Sequence, residues 1–197
     1  MQVASNEKIS ILTIPTHSMR IATPPTSALP GIALRQLESS DAEAWYAYLQ
    51  LPKVVEHTSW NLDAVHDLMP IFDALESDAL DSQIRFAIVD EPNRQLIGTI
   101  GLHTISAGNR TAEIAYDIAP QYWGRGIATS MCRVVTDWSF REMNLYRVQA
   151  TVLPSNMAST KVLQTCGYQY EGLLRSYRVV RGVSRDYAMF SRRAESQ

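Results

Sequence analysis

The sequence is short of net charge, of cysteine and of long apolar runs, and each shortage closes off a class of function. Its 197 residues hold 18 Lys+Arg against 20 Asp+Glu, a formal net charge of -2, so no overall positive field exists to hold a nucleic-acid backbone. The one local basic strip, Arg175, Arg178, Arg181 and Arg185, reads as the solvated face of a strand and turn. DNA is not an expected partner. The two cysteines, Cys132 and Cys166, fall at apolar positions of expected helices and read as small core residues in a reducing compartment. No apolar stretch approaches the length of a membrane span. The short patch Ile9 to Ile14 is interrupted by Ser10 and Thr13 and preceded by Glu7, which argues against a signal peptide. A cytoplasmic location without membrane binding is the expectation. His57, His66 and His103 lack the paired spacing of a metal site, so no metal is expected, and His103 reads as a satisfied turn residue.

What is present suits one domain. Hydrophobic residues make up 46% and charged residues 19%, enough to bury a sizeable core. Thr23 to Pro30 is rich in proline and cannot sustain a hydrogen-bond ladder, so residues 1–30 are expected to form an N-terminal extension, 31–193 the domain and 194–197 a tail. Ile32, Leu34 and Gln36 suggest a first strand. Ser40 and Glu43 have capping-box spacing ahead of a helix from Asp41 to Gln50. Asn61 is placed to cap a helix bearing Val65, Met69 and Phe72, with Pro70 splitting it into two short pieces. Arg85 to Val89, Leu96 to His103 and Thr111 to Ile118 then read as an antiparallel meander. A helix carrying Ile127, Met131, Val135 and Trp138 on one face follows, then a strand from Arg147, a helix from Asn156 closed by Gly167, and two strands, 168–174 and 184–191.

Between the meander and that first long helix lies Gln121-Tyr-Trp-Gly-Arg-Gly-Ile-Ala128. Gly124 and Gly126 allow backbone angles that a side chain forbids, so that successive amides can converge on one point. The helix starting there adds unpaired amides and its positive end. A pyrophosphate fits such a turn. No Lys-Ser/Thr follows as a Walker loop requires, and the third glycine of a dinucleotide fingerprint is absent.

The spacing Gln-x-x-Gly-x-Gly-x-Ala resembles the acetyl-coenzyme A loop of the GNAT superfamily of N-acetyltransferases. Asn156-x-x-Ser159 before Cys166-Gly-Tyr168 is similar to that family's fourth helix. Glu171-Gly172-x-x-Arg175 with Gly182-x-x-x-Asp186 is similar to its ribosomal-protein N-terminal acetyltransferase branch. The resemblance spans about 31 to 193 and implies an α+β fold, layered α/β/α, with a mixed, mostly antiparallel seven-stranded sheet flanked by about four helices. It implies direct acetyl transfer from acetyl-CoA to an amine, such as a protein or peptide N-terminus, and leaves a homodimer open.

That chemistry needs a diphosphate cradle, a donor to the thioester carbonyl, a route for the amine proton and a donor to the departing thiolate. The amides of Gly124, Arg125, Gly126, Ile127 and Ala128, the Thr129 hydroxyl and the motif's Gln121 are the cradle candidates. The resemblance assigns the carbonyl donor to the Ile118 amide and the base to Glu113. Alternation alone favours reading Glu113 as an exposed carboxylate paired with an arginine, on the strand face opposite Ala112, Ile114, Tyr116 and Ile118. Many family members carry a tyrosine where Leu163 stands here. Ser159 is the substitute acid, and Asn156, which also suits a helix cap, the holder of the pantetheine arm. Tyr168 and Tyr170 lie close in sequence, and strand packing explains them. Trp60 suits a pocket wall, and Trp123 is expected to pack beside the glycine loop.

A free α-amine has a pKa near 8 and a lysine one near 10.4, so lysine needs ~3.5 kcal/mol more deprotonation at pH 7. A water-linked carboxylate suits the α-amine. Loops 54–62 and 177–185 are expected to shape the acceptor groove. A deep acidic pocket of Glu56, Asp63 and Asp67 would instead favour a small amine such as an antibiotic or polyamine, and loss of the tyrosine would suit a non-catalytic CoA-binding sensor.

Overall fold

A computed structural model describes residues 23–77, 79 and 81–195. The apolar patch Ile9 to Ile14 and most of the expected extension lie outside them. In chain order come β1 (Ile32–Gln36), α1 (Ala42–Leu49), α2 (Pro52–Val55), α3 (Met69–Leu75), β2 (Ile84–Asp90), β3 (Gln95–Ser106) and β4 (Thr111–Ile118). Then follow α4 (Ile127–Glu142), β5 (Arg147–Val152), α5 (Met157–Thr165), β6 (Gln169–Val180) and β7 (Val183–Arg193). The seven strands form one sheet in the order β1-β2-β3-β4-β5-β7-β6, antiparallel except between β4 and β5. This is the expected α+β sheet, with five helices among the described residues rather than four. The additional one is α2, where Pro52 sits at the first turn with its backbone already preset for a helix.

Each face of the sheet has its own core. Ile114, Met131, Val135, Val148 and Leu163 fill the space beneath α4 and α5. Trp45, Leu68, Phe72 and Ala87 fill the opposite side beneath α1 and α3. The layering is therefore α/β/α, produced by strands whose alternate residues bury on both faces. Leu29, within the proline-rich stretch, also packs on the first core.

Several local expectations are corrected. The box expected from Ser40 and Glu43 forms two residues earlier, at Glu38 and Asp41, where the Asp41 carboxylate accepts from the Glu38 amide at 3.0 Å and binds Arg35 at 2.6 Å. Asn61 caps no helix, because its Oδ1 accepts from the Arg181 amide at 2.8 Å, while Asp67 takes up the amides of Asp63 and Ala64. Residues 177–185 are not a loop. β6 and β7 continue through them in antiparallel register, Arg178 opposite Arg185 and Val180 opposite Val183, leaving only the Arg181-Gly182 turn. This hairpin is tied back by Glu171, which binds Arg147 at 2.5 Å and Ser191 at 2.6 Å. Those donors hold its carboxyl down at about 2.

The feature that matters for function is a missing ladder. β4 and β5 pair only over Thr111–Glu113 with Arg147–Gln149 and diverge beyond. The Ala119 amide donates to Ile97 O on β3, so strand alternation turns the amides of Tyr116 and Ile118 the other way, into the opening gap.

Candidate active site

The gap opens on both sides, and the glycine loop closes one of them. Gly124 and Gly126 take φ of +75 and +73, and a Cβ at either would meet nothing within 4 Å, so both face open space. Gly126 is the N-cap of α4 and has no side chain to offer the helix. The first helical bond runs from the Ser130 amide to Gly126 O at 3.0 Å, leaving the amides of Ile127, Ala128 and Thr129 without an intrahelical acceptor. They line a cavity of about 510 Å³ together with Lys53, Trp123, Lys161 and Val162. Three free amides, the positive helix end and two lysines suit a diphosphate. The residues therefore fit the expected cofactor.

Individual side chains depart from expectation. Gln121 sits in the 3-10 turn Pro120–Tyr122, contributes its carbonyl to Arg125 at 3.0 Å and does not line the cavity. Arg125 is folded over the Tyr122 ring. Trp123 lies beside the glycine loop but is 47% exposed, because its indole N–H reaches down to Ile118 O at 2.6 Å and leaves the ring on the cavity rim.

On the far wall, Asn156 caps α5 by accepting the Ser159 amide at 3.0 Å. The Ser159 hydroxyl lies 2.9 Å from the Tyr116 phenol of β4, which also approaches Ser159 O at 3.4 Å. Burial drives the Tyr116 phenol far above its ordinary pKa, so it stays protonated. Alternation had put Tyr116 in the apolar set of β4. It does point to the α5 side, but at a level where the gap replaces the core. Leu163, at the family's tyrosine position, is completely buried. Tyr168 bonds Thr136 within the core at 2.7 Å and Tyr170 packs on Phe190, so neither lines the gap.

A second cavity, of about 350 Å³, lies across the gap. Glu113 forms part of its wall and is 2% exposed. Its Oε1 accepts from Thr151 at 2.6 Å and Arg178 at 2.8 Å, while Oε2 makes no hydrogen bond. The arginine pairing is present, but on a buried carboxylate. His103 stands opposite Glu113 in the β3–β4 register, 3.9 Å away, instead of in a turn. Burial pushes its imidazole below the ordinary value, aided by Arg178 and Arg85 and opposed by Glu113. Asp117 is held by Arg85 at 2.7 Å, Thr99 at 2.8 Å, Trp45 at 3.1 Å and the Tyr48 hydroxyl. Arg85 in turn lies 4.8 Å from the Trp45 ring and 5.5 Å from that of Trp60.

The basic strip divides: Arg175 and Arg185 are exposed, as a solvated face requires, whereas the other two arginines are engaged. Arg178 pairs with Glu113, and Arg181 donates to the carbonyls of Val55, Thr58 and Trp60, pinning the loop before α3 against the β6–β7 turn. That pinned loop presents His57 to both cavities, with a buried Nδ1 that has no partner. Glu56, Asp63 and Asp67 line neither cavity, so the acidic pocket they were expected to mark is not built by them. No cluster of three or more His, Cys, Asp or Glu suited to a metal occurs among the described residues. Sequence spacing carried no sign of Arg178, Arg85, His57 or Tyr116, since each acquires its role from partners distant in the chain.

A splayed β4–β5 pair, a glycine-loop helix start and two cavities meeting at the gap define an acyl-CoA-dependent acetyltransferase architecture. The chain belongs to the GNAT family and is an N-acetyltransferase: the model of the acetyltransferase (GNAT) domain matches residues 32–169. It is 33% identical over 165 residues to the uncharacterized N-acetyltransferase p20 of Bacillus licheniformis, covering 81% of this chain and 91% of that protein. RimJ of Mycobacterium smegmatis, solved with CoA-disulfide, is 28% identical, with a TM-score of 0.73 and coverage of 83% and 82%. Spermidine N-acetyltransferase of Vibrio cholerae, solved with CoA and spermine, shares the fold at 23% identity, with a TM-score of 0.73 and coverage of 84% and 96%.

Proposed function

We propose that the chain uses acetyl-CoA to acetylate the α-amine of a peptide or protein. The observation that carries this acceptor class is the charge balance of the cavity that would receive it. Its two buried carboxylates, Glu113 and Asp117, are each neutralised by a built-in arginine, Arg178 and Arg85. A polyamine carries several positive charges and needs uncompensated acid groups, whereas a peptide N-terminus brings one amine beside a carbonyl and an amide. The paired guanidinium groups also disfavour a polycation by repulsion.

In this reading the free amides of Ile127, Ala128 and Thr129 hold the diphosphate, and Asn156 holds the pantetheine arm. Acetyl-CoA supplies an activated acetyl group as a thioester. The Ile118 amide, turned into the gap, donates to its carbonyl oxygen. Glu113 takes the amine proton through water at Oε2, while Arg178 and Thr151 fix the carboxylate through Oε1. With its imidazole pushed below the ordinary value by burial, His103 adds no positive charge beside Glu113, whose cationic partner is Arg178. Ser159 donates to the departing sulfur.

The test is thiol release from acetyl-CoA with short peptides beginning Ala, Ser, Thr or Met, set against the same peptides with blocked N-termini, spermidine and an aminoglycoside. Release is expected with the free peptides alone. Release with spermidine and not with peptides would overturn the acceptor assignment.

A further inference from the structure

The Tyr116 phenol has no part in that reading, yet it is the group placed most closely on Ser159. Ser159 is held at two atoms: its amide donates to Asn156 Oδ1, and its hydroxyl lies 2.9 Å from Tyr116 Oη, nearer than the Ser159 carbonyl oxygen at 3.4 Å that competes for the same phenol proton. A serine near a helix start ordinarily has a freely turning hydroxyl. Here a strand on the other side of the gap fixes it. Tyr116 and Ser159 both line the glycine-loop cavity and the acceptor cavity, so they stand where the two meet. Leu163, one turn along α5 from Ser159, contributes no polar atom there.

Resting on the acetyl-CoA reading, we propose that Tyr116 is a positioning residue for thiolate departure, donating its phenol proton into Ser159 Oγ and thereby aiming the Ser159 O–H at the cofactor sulfur. Burial keeps Tyr116 protonated throughout, so it acts as a fixed donor and not as the final proton source. As the amine nitrogen bonds to the acetyl carbon, the carbon–sulfur bond breaks and its electron pair goes to sulfur. Ser159 donates to that sulfur, and Tyr116 compensates Oγ, so that the two hydrogen bonds polarise each other. The amine proton leaves through Glu113, and water supplies the proton that makes the thiol. A phenol delivered from β4 thus takes over part of the work of the helix tyrosine that Leu163 replaces.

The other charged and titratable groups lining the two cavities are Asp117 paired with Arg85, Glu113 paired with Arg178, Lys53, Arg125, Lys161, the phenols of Tyr122 and Tyr187 and the imidazoles of His57 and His103. All remain in every variant compared, so their effect cancels. The experiment titrates the thiol of bound CoA by thiolate absorbance, in the unsubstituted chain, in Tyr116→Phe, in Ser159→Ala and in the double variant. Ser159→Ala is expected to raise the thiol pKa by about one unit, as loss of a hydrogen bond to a charged group requires, Tyr116→Phe to raise it in the same direction by freeing the Ser159 hydroxyl, and the double variant little beyond Ser159→Ala. Tyr116→Phe should also lower kcat by about tenfold with KM for acetyl-CoA changed less than about threefold. A bound thiol that titrates identically in the unsubstituted protein and Tyr116→Phe would overturn the inference while leaving the enzyme's donor intact. CoA that fails to bind at all would remove the cofactor reading and this inference together.

Discussion

Glu113 is held from two strands at once, by Arg178 of β6 and Thr151 of β5, with His103 of β3 facing it 3.9 Å away. Such support fixes its free Oε2 for one task, so Glu113→Gln should keep the shape of the wall and lose the proton acceptor. We expect kcat to fall by about 10²–10⁴-fold, KM for acetyl-CoA to change little, and the acid limb of the pH–rate profile to flatten. An unaltered profile with the true acceptor would remove Glu113 from the proton path. At this scale the sequence was partly legible. Alternation set Glu113 and Tyr116 on opposite faces of β4, and helix-start chemistry marked Asn156 and Ser159. It was silent on Arg178, 65 residues from Glu113, because a pair closed by strand register leaves no local spacing. It also misjudged Tyr116, because a core-facing position becomes a cavity-facing one where the neighbouring strand turns away.

The glycine loop and the β4–β5 gap act together as elements. The loop supplies amides at one end of the gap, and the gap exposes the strand amides that would meet the thioester. Gly126→Val forces a branched side chain into a left-handed backbone, at about 1–2 kcal/mol, with its methyl groups in the open cleft. Calorimetric titration should show CoA affinity reduced at least about tenfold, and a melt should show a folded protein a few degrees less stable. Unchanged affinity in the folded variant would contradict the cradle. Element positions were largely readable, because Gly124, Gly126 and Gly167 punctuate strongly and the apolar period of α4 is long. Boundaries between polar neighbours were not. Asp41 rather than Ser40 organises the entry to α1, since Arg35 on β1 captures it, and the β6–β7 hairpin extends through residues that look like a loop because strand pairing with β7 outweighs their composition.

At the scale of the molecule, the proposed reading assigns one cavity to the donor and the other to the acceptor. The donor side was visible in the sequence because its chemistry rests on backbone amides at glycines. The acceptor side was not, because it is assembled from the α2–α3 loop, β2, β4 and the distant hairpin, brought together by Arg181 and by the buried pairs Arg85–Asp117 and Arg178–Glu113. Those pairs cancel the cavity's negative charge, and from that cancellation follows the central claim that the acceptor is a single α-amine. The most direct test offers both amines in one molecule: a peptide with a free N-terminus and an internal lysine, incubated with acetyl-CoA and fragmented in a mass spectrometer. Acetyl on the α-nitrogen with the lysine untouched is the predicted result. Acetyl on the lysine ε-nitrogen would contradict the account.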